Sequence, residues 1–144
     1  MRRLLYSLLT AVLLLPSLAS AEQFEAVDQY QIHYNALGTT FLLPEVAEQY
    51  QIQRSKVRGL VNISVLDSSA DHRAVVAQVS GEIRNLVDQR QPLNFRQVRE
   101  GDAIYYIAEF RFTDDERLFF ELQVQPDPNG PVYPLNFEQH FYVD

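Results

Sequence analysis

The chain has 144 residues, of which 19 are acidic and 12 are basic, and its formal net charge is −7. It contains no cysteine, which excludes disulfides, thiolate metal sites, iron–sulfur clusters and cysteine nucleophiles. Its excess of acidic residues disfavours nucleic acid and anionic membranes as partners, because like charges repel at long range.

The first 21 residues have the pattern of a cleaved secretory signal peptide. Arg2 and Arg3 form a basic start, residues 4–18 are mostly apolar, and Ala19-Ser20-Ala21 matches a signal-peptidase site. A membrane anchor is the alternative, but the apolar run is shorter than the about 20 residues that span a bilayer, and Pro16 interrupts it. We therefore expect Sec export to the periplasm, cleavage after residue 21, and no membrane anchor in the mature chain.

Residues 22–144 form the expected mature chain, and their number suits one domain. Without Arg2 and Arg3 this part has 10 basic and 19 acidic residues, so its net charge is −9. A chain of this size buries about two thirds of the surface that its unfolded form exposes. A hydrophobic core can therefore hold the domain together without disulfides.

Apolar and polar residues alternate through most of the mature chain, which is typical of strands with one buried face. The alternating sets cover residues 30–36, 57–65, 75–83, 93–95, 104–112, 118–124 and 133–143. Polar turns rich in Gly, Pro, Asn and Asp separate several of these sets. The pattern predicts an all-β fold, an antiparallel immunoglobulin-like β-sandwich of about seven strands, with a small closed barrel as the alternative.

Residues 44–51 carry the one helical pattern in the mature chain. Pro44 suits a first helical turn, where its missing N–H would have no partner, and Val46, Ala47 and Tyr50 fall on one face. A helix of two turns is marginal alone, so it must rest on the sandwich. We expect it to cap an open end of the sandwich.

Arg54, Lys56 and Arg58 alternate along the chain just before an apolar strand pattern. If they share one strand face, they form a positive stripe on a negative protein, which could hold a carboxylate or another anionic group. The alternative is that they pair with acidic residues of neighbouring strands. We take the stripe as a candidate binding surface for another envelope protein.

His33 and Asn35 lie on the polar face of the first predicted strand, close to the bend Gly38-Thr39-Thr40. They are further candidate binding residues. A hydrolase using His33 with one of the two threonines, or a small-ligand carrier with a site near His33, is the alternative function.

The sequence gives no pattern for a cofactor or a metal. Its three histidines, His33, His72 and His140, lack the spacing of a metal site, and no nucleophile motif such as Gly-x-Ser-x-Gly occurs. Tyr105 and Phe119 fall opposite the main apolar sets of their strands, and we expect the helix or the N-terminal segment to cover them rather than leave an exposed aromatic pair.

A series of short motifs runs through the mature chain. It comprises Tyr34-Asn35-Ala36, Thr40-Phe41-Leu42 with Pro44, Arg54-Ser55-Lys56, Asn62-Ile63-Ser64-Val65 and Phe141-Tyr142-Val143-Asp144. This series resembles that of the family catalogued as domain of unknown function 4426, small exported proteins of Gram-negative bacteria. The resemblance covers essentially the whole mature chain. It implies a periplasmic β-sandwich domain and implies no activity, because the family has none assigned.

From these observations we expect a non-catalytic periplasmic binding or accessory module that contacts another envelope protein. We expect no cofactor, no metal and no nucleic acid. The sequence leaves the oligomeric state and the identity of the partner open.

Overall fold

The computed structural model describes residues 23–143, so the expected signal peptide lies outside the described residues. The described part contains ten β-strands, one α-helix, and two 3₁₀ turns at Thr39–Phe41 and Ser68–Ala70. The regular elements are β1 (Gln23–Val27), β2 (Tyr30–Gly38), α1 (Pro44–Gln49), β3 (Arg58–Asp67), β4 (Arg73–Ala74), β5 (Gln78–Arg84), β6 (Arg90–Pro92), β7 (Arg96–Glu100), β8 (Ala103–Arg111), β9 (Glu116–Gln125) and β10 (Tyr133–Phe141).

The strands form two antiparallel sheets that pack face to face. The first sheet has the order β1-β2-β3-β8-β7, and the short β4 pairs with the end of β3. The second sheet has the order β10-β9-β5-β6. The predicted antiparallel sandwich is therefore confirmed, and the described strands do not close into a barrel.

Alternation along the central strands builds the core between the sheets. On β3 the inner positions Val61, Ile63 and Val65 are fully buried, and on β9 the inner positions Phe120 and Val124 are fully buried too. Successive residues of a strand point to opposite faces, so these positions meet across the sandwich. This is the pattern from which the sandwich was predicted.

A continuous series of aromatic rings crosses this core. Tyr34 of the first sheet stacks on Phe137 with ring centroids 4.5 Å apart, and Phe137 stacks on Phe120 at 4.6 Å. Phe120 and Phe141 each meet the ring of Phe110 of the first sheet edge-on at 5.3 Å. Such pairs contribute about 0.5–1.5 kcal/mol each beyond the burial of their area. In a chain without cysteine, these rings tie the two sheets together.

Residues 23–143 contain ten strands where the sequence predicted about seven, and the strand predicted at residues 93–95 is wrong. Residues 93–95 are the connection by which the chain passes from β6 in the second sheet to β7 in the first. Leu93 is buried at this crossing, and its amide donates to the carbonyl of Gly81. A crossing residue that packs into the core has the same apolar character as a strand residue.

The short helix α1 lies on the outer face of the first sheet. Ala47 and Ile52 pack against Leu60 of β3 and Ile107 of β8 in a second apolar cluster, separate from the main core. The expectation that the helix caps an open end of the sandwich is therefore wrong. Leu60 and Ile107 explain the difference, because they place apolar side chains on the outer face, where they need a cover.

We predict that Phe120→Ala lowers the free energy of unfolding by about 3–5 kcal/mol, because it removes a fully buried ring at the centre of the aromatic series. Urea denaturation followed by circular dichroism measures this change. Phe41→Ala is the matched control, since its ring is 74% exposed. Equal loss of stability in the two variants would contradict this account of the core.

Candidate functional site

The five candidate residues from the sequence fall in two separate places. His33 and Asn35 lie on the outer face of β2, on the part of the first sheet that α1 leaves uncovered. Arg54, Lys56 and Arg58 lie at the end of the sheet where β3 begins. The structure therefore has two candidate surfaces.

Arg54 and Lys56 belong to the loop between α1 and β3, and only Arg58 belongs to the strand. The prediction that the three residues share one strand face is wrong. The loop is held by the buried Thr39, whose Oγ1 donates to the carbonyl oxygen of Ser55 at 3.0 Å and accepts from the amide of Ser55 at 2.8 Å. The amide and the carbonyl of Ser55 therefore bond to the Thr39 side chain, where a strand residue would bond to the backbone of a neighbouring strand.

The cations of this region differ in their partners. Arg58 lies opposite Arg111 of β8 in the strand register, and its Nη1 is 3.9 Å from Oε1 of Glu109. Arg54 donates to the carbonyl oxygen of Thr40 at 3.0 Å. Within residues 23–143, Lys56 and Arg111 form no ion pair with a carboxylate. Arg58 thus has a carboxylate partner within the chain. Lys56 and Arg111 have none among the described residues, so they can contact another molecule.

Several exposed apolar side chains lie in the loops at this end of the sheet. They lie in the turn before α1, the loop before β3 and the turn between β5 and β6, and they are 47% to 74% exposed. Val57 and residues 85 and 89 line a common depression of about 390 Å³, which brings the last two of these loops together. We call this region the basic pole; it consists of Phe41, Leu43, Arg54, Lys56, Val57, Arg58, Leu86, Val87 and Arg111, and the acidic residues Asp88 and Glu116 lie at its border.

The second candidate surface is a groove on the outer face of the first sheet. His33 pairs with Ser64 across β2 and β3, Asn35 pairs with Asn62 in the same way, and Tyr105 of β8 adjoins them. The groove has a volume of about 660 Å³, and none of the described residues lining it is Asp, Glu, Lys or Arg. We call it the neutral groove. In a chain with 22% charged residues it offers only amide, hydroxyl, imidazole, phenol and apolar groups.

His33 is held within this groove by its neighbours. The ring of Phe24 on β1 stacks on the imidazole with centroids 5.0 Å apart, and His33 Nε2 lies 3.2 Å from Oε1 of Gln31. Sequence reasoning identified His33 and Asn35 and singled out Tyr105 by its strand parity, but it missed Asn62 and Ser64. The signal was available, because Asn62 and Ser64 are the polar positions of a strand whose inner positions are all apolar.

An apolar slot adjoins the neutral groove beneath α1. Its volume is about 470 Å³, and its walls come from the helix and loop above and from the outer face of the first sheet below. The apolar lining comprises Leu37, Leu42, Val46, Ile52, Leu60, Val98 and Ile107. Asn62 and Tyr105 line both the slot and the groove, so the two cavities meet there. Tyr105 also packs in the apolar cluster under the helix, which confirms that the helix covers it.

The fold separates Tyr105 from Phe119, and the expectation that the helix or the N-terminal segment covers Phe119 is wrong. Tyr105 belongs to the first sheet and Phe119 to the second. The guanidinium of Arg84 lies over the ring of Phe119, 4.4 Å from its centroid. These two aromatic residues therefore form no common exposed patch.

The hydrolase alternative requires His33 next to Thr39 or Thr40. Thr39 is fully buried with its hydroxyl bonded to Ser55, so it cannot also be a nucleophile. Six residues of extended chain, about 20 Å, separate it from His33 along β2. The three histidines also lie apart, with His72 in a turn and His140 bonded to Asp115 at 2.5 Å, and residues 23–143 contain no cluster of three metal-ligating side chains.

Comparison with known proteins identifies the family. The sequence pattern of the domain of unknown function DUF4426 matches residues 24–144. The chain belongs to the DUF4426 family. The crystal structure of another DUF4426 protein, PA0388 of Pseudomonas aeruginosa PAO1, is similar with 31% identity and a TM-score of 0.74 over 85% of this chain and 96% of that chain. No curated protein matches this chain.

More distant structures share only the fold with this DUF4426 chain. A copper-bound variant of FetP from uropathogenic Escherichia coli strain F11 has 10% identity and a TM-score of 0.58 over 84% of this chain and 95% of that chain. FetP as isolated, expressed recombinantly in the periplasm of E. coli, has 12% identity and a TM-score of 0.54 over 85% and 93%. In the part of the chain from residue 23 to residue 143, no helix has the length and apolar character needed to cross a membrane.

Two polar contacts fasten the end of α1 to the edge strand β7. The hydroxyl of Tyr50 donates to Oε2 of Glu100, and Nη2 of Arg96 donates to the carbonyl oxygen of Tyr50. The bond to the Glu100 carboxylate raises the pKa of Tyr50 above its usual value, so the phenol keeps its proton. These contacts hold the helix over the apolar slot.

We predict that Tyr50→Phe loosens α1 while the sandwich stays intact, because the bond to Glu100 is lost and the ring still packs. Amide hydrogen exchange should become faster at Ala47 and Ile52 and stay unchanged at Val61. Tyr142→Phe, an exposed tyrosine at the C-terminal end, is the control. Unchanged exchange in α1 would mean that apolar packing alone holds the helix.

Proposed function

We propose that this protein is a non-catalytic accessory module of the periplasm that binds another envelope protein through the basic pole. The signal-peptide pattern of residues 1–21 supports the location. The observation that carries the binding proposal is the pairing of Arg58 with Arg111 in the strand register, at the end of the sheet and among exposed apolar side chains.

Two arginines directly opposite each other in a sheet destabilise it, because like charges repel. Glu109 relieves this only in part, since its closest oxygen is 3.9 Å from Arg58 and it forms no ion pair with Arg111 among the described residues. A carboxylate supplied by a partner would offset the remaining positive charge, and arginine binds carboxylates with two parallel hydrogen bonds. An acidic surface is therefore the complement of the basic pole.

The exposed apolar side chains add contact area to this charge. Leu86 and Val87 form the tip of the turn between β5 and β6, and each is more than 70% exposed. The centre of a protein interface is more apolar than its rim, and charged residues lie mostly at the rim, with arginine enriched in the interface as a whole. The partner surface we infer is acidic with an apolar centre.

The overall charge favours a protein over a lipid surface. All 19 acidic residues of the chain lie outside the pole, and they would repel an anionic bilayer. An acidic protein can instead match the pole locally and leave the rest of the surface in water.

We predict that the double variant Lys56→Gln/Arg111→Gln loses the partner, because both cations lack carboxylate partners among the described residues. The tagged protein is crosslinked in its own periplasm, the envelope protein recovered is identified by mass spectrometry, and direct binding is then measured with both proteins purified. The variant should bind about tenfold more weakly, and the difference should shrink at high salt.

The control is Arg73→Gln/Arg99→Gln, which removes the same charge from exposed positions outside the pole. If both double variants bound the partner equally weakly, the loss of net positive charge alone would explain the effect, and the proposal would be contradicted. Binding of wild-type protein to anionic vesicles, lost in the pole variant, would replace the protein partner with a membrane. Recovery of no partner at all by the wild-type protein would also overturn it.

A further inference from the structure

Leu86 and Val87 are unusual residues for the tip of a turn. They lie in the connection between β5 and β6, and their side chains are 73% and 74% exposed. Hairpin turns mostly consist of Gly, Asn, Asp, Ser and Pro, because these residues suit the backbone of a turn. Two aliphatic side chains at such a tip leave water only when another surface covers them, and that transfer is favourable.

The turn that carries these two side chains is fixed by its own hydrogen bonds. The amide of Asn85 donates to the carbonyl oxygen of Gln89 at 3.1 Å, and the amide of Asp88 donates to the carbonyl oxygen of Asn85 at 3.0 Å. Asp88 then has a φ of 60°, and a turn followed by a left-handed residue is a common form of hairpin loop. Oδ1 of Asn85 also accepts from the amides of Val87 at 3.2 Å and Gln89 at 2.9 Å.

Asn85 also connects this turn to the neighbouring hairpin between β8 and β9. Its Nδ2 donates to Oε2 of Glu116 at 3.1 Å, and Oε1 of Glu116 accepts from the amide of Thr113 at 3.0 Å. The side chain of Gln91 donates to the carbonyl oxygen of Arg111 at 3.1 Å and accepts from its amide at 2.8 Å. The turn is thereby fixed relative to the backbone of Arg111.

These bonds place two binding groups of different character at a fixed spacing. One group is the apolar pair Leu86 and Val87, and the other is Arg111, which forms no ion pair with a carboxylate among residues 23–143. A surface that is ordered before binding loses less conformational entropy when it binds. Such a surface also discriminates between partners, because both groups must find their complements at once.

We propose that Leu86 and Val87 are the apolar anchor of the partner interface, and that Asn85 is the positioning residue that fixes this anchor relative to Arg111. This inference rests on the proposed function, since it concerns the same basic pole and the same envelope partner. It specifies the partner surface as an apolar pocket that receives the two side chains, with a carboxylate beside the pocket for Arg111. A flat acidic surface would meet the cations and leave the anchor in water.

The first test uses the free protein and needs no partner. Nitrogen-15 relaxation should give backbone order parameters of about 0.85 at Leu86 and Val87, as in rigid backbone. Values below about 0.6 would show a flexible turn and overturn the preformed anchor.

The second test measures binding of the purified partner to the variant Leu86→Ser/Val87→Ser. Binding should be about tenfold weaker at low and at high salt alike, because the variant removes apolar contact and no charge. The matched control is Val76→Ser/Val132→Ser, which changes two valines of 54% and 50% exposure outside the pole and should bind as the wild type does.

The third test separates the position of the anchor from the charge near it. Asn85→Asp and Glu116→Gln each remove the bond between the two side chains, and each should weaken binding. The double variant Asn85→Asp/Glu116→Gln exchanges donor and acceptor, keeps the net charge of the wild type, and should regain its affinity. A role through charge alone predicts instead that Glu116→Gln binds an acidic partner more tightly than the wild type.

The outcomes distinguish this inference from the proposed function. Recovery of no partner by the wild-type protein would contradict both. A partner that binds Leu86→Ser/Val87→Ser as tightly as the wild type would overturn the anchor alone. Tighter binding of Glu116→Gln, or failure of the exchanged pair to regain affinity, would overturn the role of Asn85. Binding of the wild-type protein to phosphatidylcholine vesicles, lost in the anchor variant, would replace the protein pocket with a bilayer.

Discussion

The packing of α1 on Leu60 and Ile107 determines where both candidate surfaces lie. These two side chains make one half of the outer face of the first sheet apolar, and the helix covers that half with Ala47 and Ile52. The uncovered half becomes the neutral groove, and the incomplete contact between helix and sheet leaves the slot. The chain leaving the helix must return to β3, and this return forms the loop that carries Arg54 and Lys56 to the basic pole.

The sandwich beneath these surfaces is held by packing without covalent links. With no cysteine in the sequence, the two sheets are joined by the aromatic series through Phe120 and Phe110 and by side chains that bond across their edges. Gln91 of β6 both donates to and accepts from the backbone of Arg111, and Gln139 of β10 donates to the carbonyl of Ala36 at 2.7 Å.

The sequence predicted those parts of the fold in which periodicity alone decides the structure. The strands β2, β3, β8, β9 and β10 carry apolar residues at every second position along their inner faces, and Pro44 with the apolar face after it indicated the helix. Residues 93–95 misled the prediction because a buried crossing and a buried strand are equally apolar. Residues 23–27 carried no signal, since β1 is an edge strand with mostly exposed side chains and is held by backbone bonds to β2.

The candidate surfaces were predictable only in part. The prediction that His33 and Asn35 lie on an outer strand face is correct, because successive side chains of a strand point to opposite faces of the sheet. Arg54 and Lys56 were assigned to a strand because alternation continues into the loop, and only the bond between Thr39 and Ser55 shows that the backbone there is irregular. The slot depends on how α1 and the sheet meet, which is a tertiary property that no local pattern contains.

The central claim is that this DUF4426 protein binds another envelope protein through the basic pole. The most direct measurement is site-specific photocrosslinking in the periplasm, with a photoreactive side chain placed at position 56 or, as the control, at position 73. The account predicts a crosslink to one envelope protein from position 56 and none from position 73. No crosslink from position 56, or the same crosslink from both positions, would contradict it.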